Sequence, residues 1–261
     1  MSARGTGAAG IAAPGTARMF ACEHIALDLG GRSILEDISI GVDPGDVLGI
    51  IGPNGAGKTS LFEVLSGRRA PKSGVVRMRG RDVTRLPLHQ RARLGIGRTF
   101  QTPVVPDELT VAEVLKGARQ AWRPYLTPDD AEWGAGLVNF TASGKVRAES
   151  LDTLSRRKLL LTCLLMRRPS VLLMDEPAAG LINSEIDELD EILRVLAKEL
   201  QIAVIIVEHR MELLDTIADR IVVMDAGHVI AQGSMADVLV DPRVREAYFD
   251  NAPHASAGVA A

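Results

Sequence analysis

The nine residues Gly52-Pro53-Asn54-Gly55-Ala56-Gly57-Lys58-Thr59-Ser60 satisfy the spacing G-x-x-x-x-G-K-[ST]. They lie between an apolar run, Val47 to Ile51, and a segment of helical periodicity, Lys58 to about Ser66. In that context the spacing has a mechanism. Glycines let the backbone curl until successive N–H groups point at the β- and γ-phosphates of a nucleotide, and the positive end of the following helix adds to the attraction. Lys58 brings a point charge to the same phosphates, and Thr59 offers a hydroxyl to Mg2+.

A second apolar run, Val171 to Met174, ends in the carboxylates Asp175 and Glu176. Alone, such a pair reads as a strand-end cap. Beside a phosphate loop, Asp175 suits holding Mg2+ through a water, and Glu176 suits polarising, or taking a proton from, the water that attacks the γ-phosphate. His209 follows a third apolar run, Ile202 to Val207, across Glu208. That spacing puts it at the carboxyl edge of a sheet, where open α/β folds gather ligands. His24, His89, His228 and His254 read as surface or packed histidines. Gln101, closing Arg98-Thr-Phe-Gln, carries no signal by itself.

These residues need a scaffold of strands and helices. Short alternating apolar segments from Ile25 to Val42, broken at Gly30-Gly31 and Pro44-Gly45, predict two or three antiparallel strands leading into the buried strand Val47 to Ile51. A strand near Val75 to Met78, a helix over Leu86 to Arg93 and a strand over Gly95 to Phe100 follow. Val111 to Ala121 reads as an amphipathic helix. Trp122 to Ser150 has no single period and predicts a small helical insertion, in which Trp122, Tyr125 and Trp133 pack locally. A helix over Arg156 to Met166 stops before Pro169. The last third alternates strand (Val171 to Met174), helix (Ser184 to Leu200), strand (Ile202 to Val207), helix (Arg210 to Ile217) and two strands (Arg220 to Met224, His228 to Gln232). Buried strands alternating with helices argue for a parallel sheet covered on both faces.

Composition sets outer bounds. With 261 residues and 46% hydrophobic content, the chain suffices for one large α/β domain or two small ones. A net charge of −3 gives no electrostatic case for nucleic acid, and the basic clusters Arg91 to Arg98 and Arg156 to Arg168 read as solvated faces or partner contacts. Cys22 and Cys163 form no CxxC pair, which predicts reduced thiols in a cytosolic setting and no structural metal site, with Cys163 in core packing. No apolar run reaches the roughly 18 residues of a membrane span. Residues 1–18 and 251–261, rich in Ala and Gly, read as disordered tails around a folded part, 19–250.

GPNGAGKTS, RTFQ, VLLMDEPAAGL and IIVEH, in this order and with these spacings, resemble the ATPase subunit of ABC transporters, and the similarity runs from about Phe20 to Phe249. The resemblance implies an α/β P-loop NTPase of ABC ATPase type, with an antiparallel β subdomain and a small helical insertion at about 102–168. It implies ATP and Mg2+ as ligands. Gln101 becomes the residue that touches Mg2+ and the attacking water while sensing a membrane partner, and His209 the one that contacts the γ-phosphate. The wording of Gly80 to Gln101, DEPAAGL and Val238 to Phe249 is similar to the ATPases of branched-chain amino acid importers, whose relatives also serve urea, amides and other small polar solutes. Implied partners are a second ATPase subunit, transmembrane permease subunits and a periplasmic solute-binding protein. The implied place is the cytoplasmic face of the inner membrane, as a peripheral subunit, with the permease resting on the surface around Gln101 and the insertion.

The sequence departs from the family pattern in three places. Counting back without gaps from Asp175, the LSGGQ-type signature is occupied by Leu151-Asp152-Thr153-Leu154-Ser155. In the family this segment closes on the γ-phosphate of the opposite subunit in a head-to-tail dimer. Asp152 there adds negative charge, and Leu154 replaces a glycine and obstructs close approach. A frame shifted to Leu154-Ser155 restores the serine but not the glycines. Leu29 falls where relatives carry an aromatic that stacks on adenine, and Ile182 replaces an Asp or Asn, with Asn183 beside it. The signature favours a heterodimer, with one complete site on this chain's Lys58, Glu176 and His209, over a homodimer. Two other readings compete with the transport ATPase: a nucleotide-binding subunit of weak turnover that regulates a partner, and an ABC-type ATPase acting on DNA or ribosomes.

Overall fold

Alternating buried and exposed residues near the start, and fully buried runs later, build two different sheets. In this computed structural model residues 18–100 and 105–250 are described, so Gln101 and the predicted tails lie outside the described residues, save Arg18, which donates to Gly41 O at 3.0 Å. β1 (Phe20–Leu29) turns through Gly30-Gly31 into β2 (Arg32–Val42). β3 (Val47–Ile51) leaves for the second sheet and runs through the glycine-rich segment into α1 (Lys58–Ser66). β4 (Ser73–Met78) and β5 (Arg81–Asp82) complete an antiparallel sheet in the order β2-β1-β4-β5. α2 (Leu88–Arg93) and β6 (Ile96–Arg98) precede the helical part: α3 (Val111–Gln120), α4 (Pro128–Leu137) and α5 (Thr153–Leu165). The last third holds β7 (Val171–Asp175), α6 (Asn183–Arg194), β8 (Ala203–Val207), α7 (Met211–Ile217), β9 (Arg220–Asp225), β10 (His228–Gly233), α8 (Met235–Val240) and α9 (Pro242–Arg245).

Among the described residues the second sheet has the order β10-β9-β3-β8-β7-β6, parallel except for the edge strand β10. Its strands are apolar on both faces because side chains alternate between them. Leu48, Ile50, Val171, Leu173, Ile205 and Val207 join one core with α1 and the antiparallel sheet. Val47, Ile51, Leu172, Met174, Val204 and Ile206 join the other with α5, α6 and α7. The helical part keeps a smaller cluster of Val105, Val111, Ala148 and Leu159, against which Cys163 packs, and burial pushes the Cys163 thiol up to about 11.

Three expectations change. β1 begins at Phe20, earlier than expected, because Cys22 pairs with Ile40 on one side and Val76 on the other. α5 begins at Thr153, earlier than Arg156, because Asp152 caps it by accepting the Ser155 N–H at 2.7 Å. The basic clusters are not simply solvated faces, since Arg91, Arg98, Arg157 and Lys158 are buried. Of the three grouped aromatics, Trp122 stacks under the Arg167 guanidinium at 4.2 Å and Trp133 under Arg168 at 4.5 Å, while Tyr125 is exposed.

Arg91 has the largest of the fully buried side chains. It donates to the Val64 and Leu65 carbonyls at 2.7 Å, to Thr84 O at 2.7 Å and to Leu86 O at 2.9 Å. It thereby closes the carboxyl end of α1, where a cation is favoured. Burial pushes its guanidinium down to about 10. Arg91→Met leaves these carbonyls unsatisfied and is expected to lower stability by about 2–4 kcal/mol in urea unfolding. A loss below about 1 kcal/mol would show that α1 does not depend on this cap.

Candidate functional site

The register of the parallel ladder sets the site. Val207 at the end of β8 lies opposite Ile50 of β3 and opposite Asp175 of β7. Three strands therefore end side by side, and the segments that leave them, Gly52 to Gly57, Glu208-His209 and Glu176, emerge at one sheet edge. β6 joins the same edge, with Arg98 opposite Leu173.

Gly52 has a φ of 156°, and a Cβ there would lie 2.2 Å from the Met224 carbonyl oxygen. Gly57, at φ 99°, starts α1 so close to β2 that a Cβ would come within 3.0 Å of Ile34 O. The buried Lys58 donates from Nζ to Gly52 O at 2.7 Å and Pro53 O at 2.9 Å. Burial lowers Lys58 from its ordinary value, and the charges of Glu176 and Asp175 oppose that shift. Thr59 faces solvent in the first turn of α1, and Asn54 and Gly55 are exposed at the crest of the loop. Behind the loop the phenol of Tyr248 is hydrogen-bonded to the Gly52 backbone, and burial pushes it up to about 12.

Asp175 is buried, which raises its carboxyl above its ordinary value. Glu176 adds to the rise, while Arg98 and Lys58 oppose it. Arg98 stands 3.7 Å away, anchored on Ser66 Oγ at 2.7 Å and Phe62 O at 3.2 Å, with Phe100 stacked at 4.8 Å. Glu176 takes a left-handed φ of 46°, donates its N–H to Val207 O at 2.9 Å and meets His209 Nε2 through Oε1 at 3.0 Å. Deep to this pair, Glu208 accepts the Ala178 N–H at 2.6 Å, and Arg157 donates to the carbonyls of Pro177 and Ala179.

The structure thus brings together the loop, Lys58, Asp175, Glu176 and His209, whereas Gln101 lies outside the described residues. The Asp175 carboxylate, near enough to Lys58 to feel its charge, and the exposed hydroxyl of Thr59, the next residue, are donors of the kind that suit a hard divalent cation, and the glycine-lined loop suits phosphate oxygens. Asp152 sits exposed at the N-terminus of α5, its carboxyl held below its ordinary value chiefly by the Ser155 N–H. Leu154, expected to obstruct a partner, turns inward and is buried with Leu161 and Leu165. Leu29 packs half-buried against the first core, and Ile182 is exposed at the start of α6. Sequence reasoning missed Arg98, Arg157, Glu208 and Tyr248. A charged residue between an apolar run and a motif was the available signal for Arg98 and Glu208; Tyr248 had none.

The family described as ABC transporter matches residues 35–179, and one described as branched-chain amino acid ATP-binding cassette transporter matches residues 228–249. The high-affinity branched-chain amino acid transport ATP-binding protein BraF of Pseudomonas aeruginosa is 33% identical over 245 residues, covering 87% of this chain and 96% of the relative. The corresponding LivG protein of Salmonella typhimurium is 30% identical over 258 residues, covering 90% and 98%. The crystal structure of the ADP conformation of MJ1267, an ATP-binding cassette of an ABC transporter, superposes with a TM-score of 0.81 at 29% identity, covering 89% of this chain and 99% of that one.

Two glycines of the loop separate geometry from flexibility. Gly52→Ala drives a methyl into the Met224 carbonyl and is expected to weaken binding of a fluorescent ATP analogue by at least about tenfold. Gly55, at φ 85°, has open space around its Cβ position, so Gly55→Ala pays only the conformational cost of about 1 kcal/mol. Equal effects of the two would overturn this account of the cradle.

Proposed function

The chain belongs to the ABC transporter family, as an ATP-hydrolysing subunit, and we propose that it powers uptake of a branched-chain amino acid or a similar small polar solute through a separate membrane permease. The observation that carries the reading is the edge where β3, β8 and β7 end together, with Lys58 on the phosphate loop and Glu176 in contact with His209. In it the loop amides from Gly52 to Ser60 and Lys58 grip the β- and γ-phosphates of ATP. Thr59, Asp175 and Gln101 hold Mg2+, which when bound neutralises charge on the phosphate oxygens. Glu176 accepts the proton of the attacking water, and His209 orients Glu176 and contacts the γ-phosphate. The buried Arg98, 3.7 Å from the Asp175 carboxylate, favours its charged form.

Among the described residues no helix is long and apolar enough to cross a membrane. We assign the chain to the cytoplasmic face of the inner membrane, held there by permease subunits and served by a periplasmic binding protein. The face beside Phe100, where Arg68, Leu160, Cys163 and Leu164 line a groove, suits a helix of the permease. Its ATPase partner is a second, different subunit. Support for that comes from Asp152, whose carboxylate accepts the Ser155 N–H at 2.7 Å and the Ser155 hydroxyl at 2.8 Å and sets a negative charge at the tip of α5, where a phosphate of the opposite subunit would approach. This chain's own ATP would meet a regular signature from the partner, while the partner's ATP would meet Asp152.

The test is ATPase turnover of the purified chain alone and mixed with its partner ATPase. The chain alone is expected to be nearly idle and the mixture active, with Glu176→Gln in this chain cutting turnover by about 10²–10⁴-fold. Turnover that survives Glu176→Gln would overturn the assignment of the base. Full activity of the chain alone would overturn the heterodimer. Asp152→Ser is expected to raise turnover at the partner's site, and no gain would remove the reason given for the asymmetry.

A further inference from the structure

The following rests on the reading that Glu176 and His209 serve hydrolysis. Pro177, Ala178 and Ala179 lead away from Glu176, and two buried ions hold them from opposite sides. Arg157, on the first turns of α5, donates through its two terminal nitrogens to the carbonyls of Pro177 and Ala179. Glu208 accepts the intervening Ala178 N–H through Oε1 at 2.6 Å. Its other oxygen accepts the His209 N–H at 3.0 Å and the Arg210 N–H at 3.4 Å. Arg157 is 9% exposed and Glu208 2%, so both charges are largely withdrawn from water. Burial lowers Arg157 from its ordinary value and the Glu208 charge opposes the shift, so the two compensate each other across one peptide segment.

Removing either ion leaves backbone groups of this segment unsatisfied, so both contribute to stability, and thermal stability is therefore measured beside turnover. What the two ions share is their position relative to the catalytic pair. Glu176 occupies a left-handed conformation that a residue with a Cβ keeps only where its surroundings fix it. Val207 O fixes its N–H. The segment that follows it is fixed by Arg157 and Glu208, and Glu208 also fixes the backbone of His209. We propose that Arg157 and Glu208 are positioning residues for hydrolysis: a buried clamp on Pro177–Ala179 that holds Glu176 and His209 at their 3.0 Å separation.

The experiment measures kcat and KM for ATP, together with thermal stability, on the mixed ATPase carrying Arg157→Gln, Arg157→Lys, Glu208→Gln or the double Arg157→Gln/Glu208→Gln. Misplacement of the pair is expected to cost kcat between about tenfold and about a hundredfold, with KM unchanged. The double variant is expected to be no slower than the slower single, since both act on one segment. Arg157→Lys, which keeps the charge and one donor, is expected to recover part of kcat and covers the case in which the neutral variant does not fold. On a Glu176→Gln background neither substitution is expected to lower the residual turnover further. Unchanged kcat, a rise in KM that matches the loss, or a further loss on the Glu176→Gln background overturns the clamp and leaves the ATPase reading intact. Absence of turnover in the unsubstituted mixture overturns both.

Discussion

Hydrogen bonds of a parallel ladder decide where this molecule does its chemistry. They hold Ile50, Val207 and Asp175 abreast, so a glycine loop, a histidine and two acids from distant parts of the chain leave the sheet within reach of one another. A slip of one residue in β7 would turn Asp175 to the opposite face and carry Leu172 and Met174 into the wrong core. The fully buried runs of β3, β7 and β8 exclude that slip, because each core accepts one set of alternating side chains. Packing of apolar residues on both faces thus fixes the position of polar residues that contribute nothing to it.

That position is costly. Lys58 is depressed and Asp175 is raised, each chiefly by burial, so folding disfavours both charged forms. Asp175 has a higher value folded than unfolded, so its ionised form opposes folding near neutrality and the penalty disappears as pH falls through the folded value. Arg98 offsets part of it, and a divalent cation bound by Asp175 would offset more. A site with unfavourable charges that bound ligand relieves is what a phosphate-binding motor needs, and Arg91 and the two apolar cores carry the stability that the site gives up.

The legibility of this site in the sequence follows chain distance. Gly52 to Ser60 is contiguous, its mechanism is local, and it reads directly; Asp175, Glu176 and His209 read because each follows an apolar run at the same sheet edge. The parallel sheet was legible through alternation of strands and helices, and the antiparallel one only from Ile25 onward, since the pairing of Cys22 with Ile40 and Val76 is tertiary. Arg91, Arg98 and Arg157 looked like surface charge because their partners are mostly backbone carbonyls of remote segments, which no spacing of side chains reveals. Tyr248 reaches Gly52 across nearly the whole fold, and its contact has no counterpart in the local pattern. Leu154 was read as an outward obstruction and is instead buried, because the sequence showed the missing glycine and not the core beneath it.

At Asp152 folding and assembly pull in opposite directions. A helix start is served by Asp at least as well as by Ser, since either side chain accepts an N–H of the first turn and the carboxylate also meets the helix dipole. The same charge repels a phosphate brought to that tip from another subunit. In a symmetric dimer the conflict would fall on both sites and selection for turnover would remove the carboxylate. In an asymmetric dimer it falls only on the site whose loop the partner supplies, so this chain keeps a well-capped α5 while its own loop, acids and histidine stay complete. An asymmetric dimer would account for both the intact Glu176–His209 pair and the altered tip of α5, since the pair would serve this chain's own site and the tip only the opposite one.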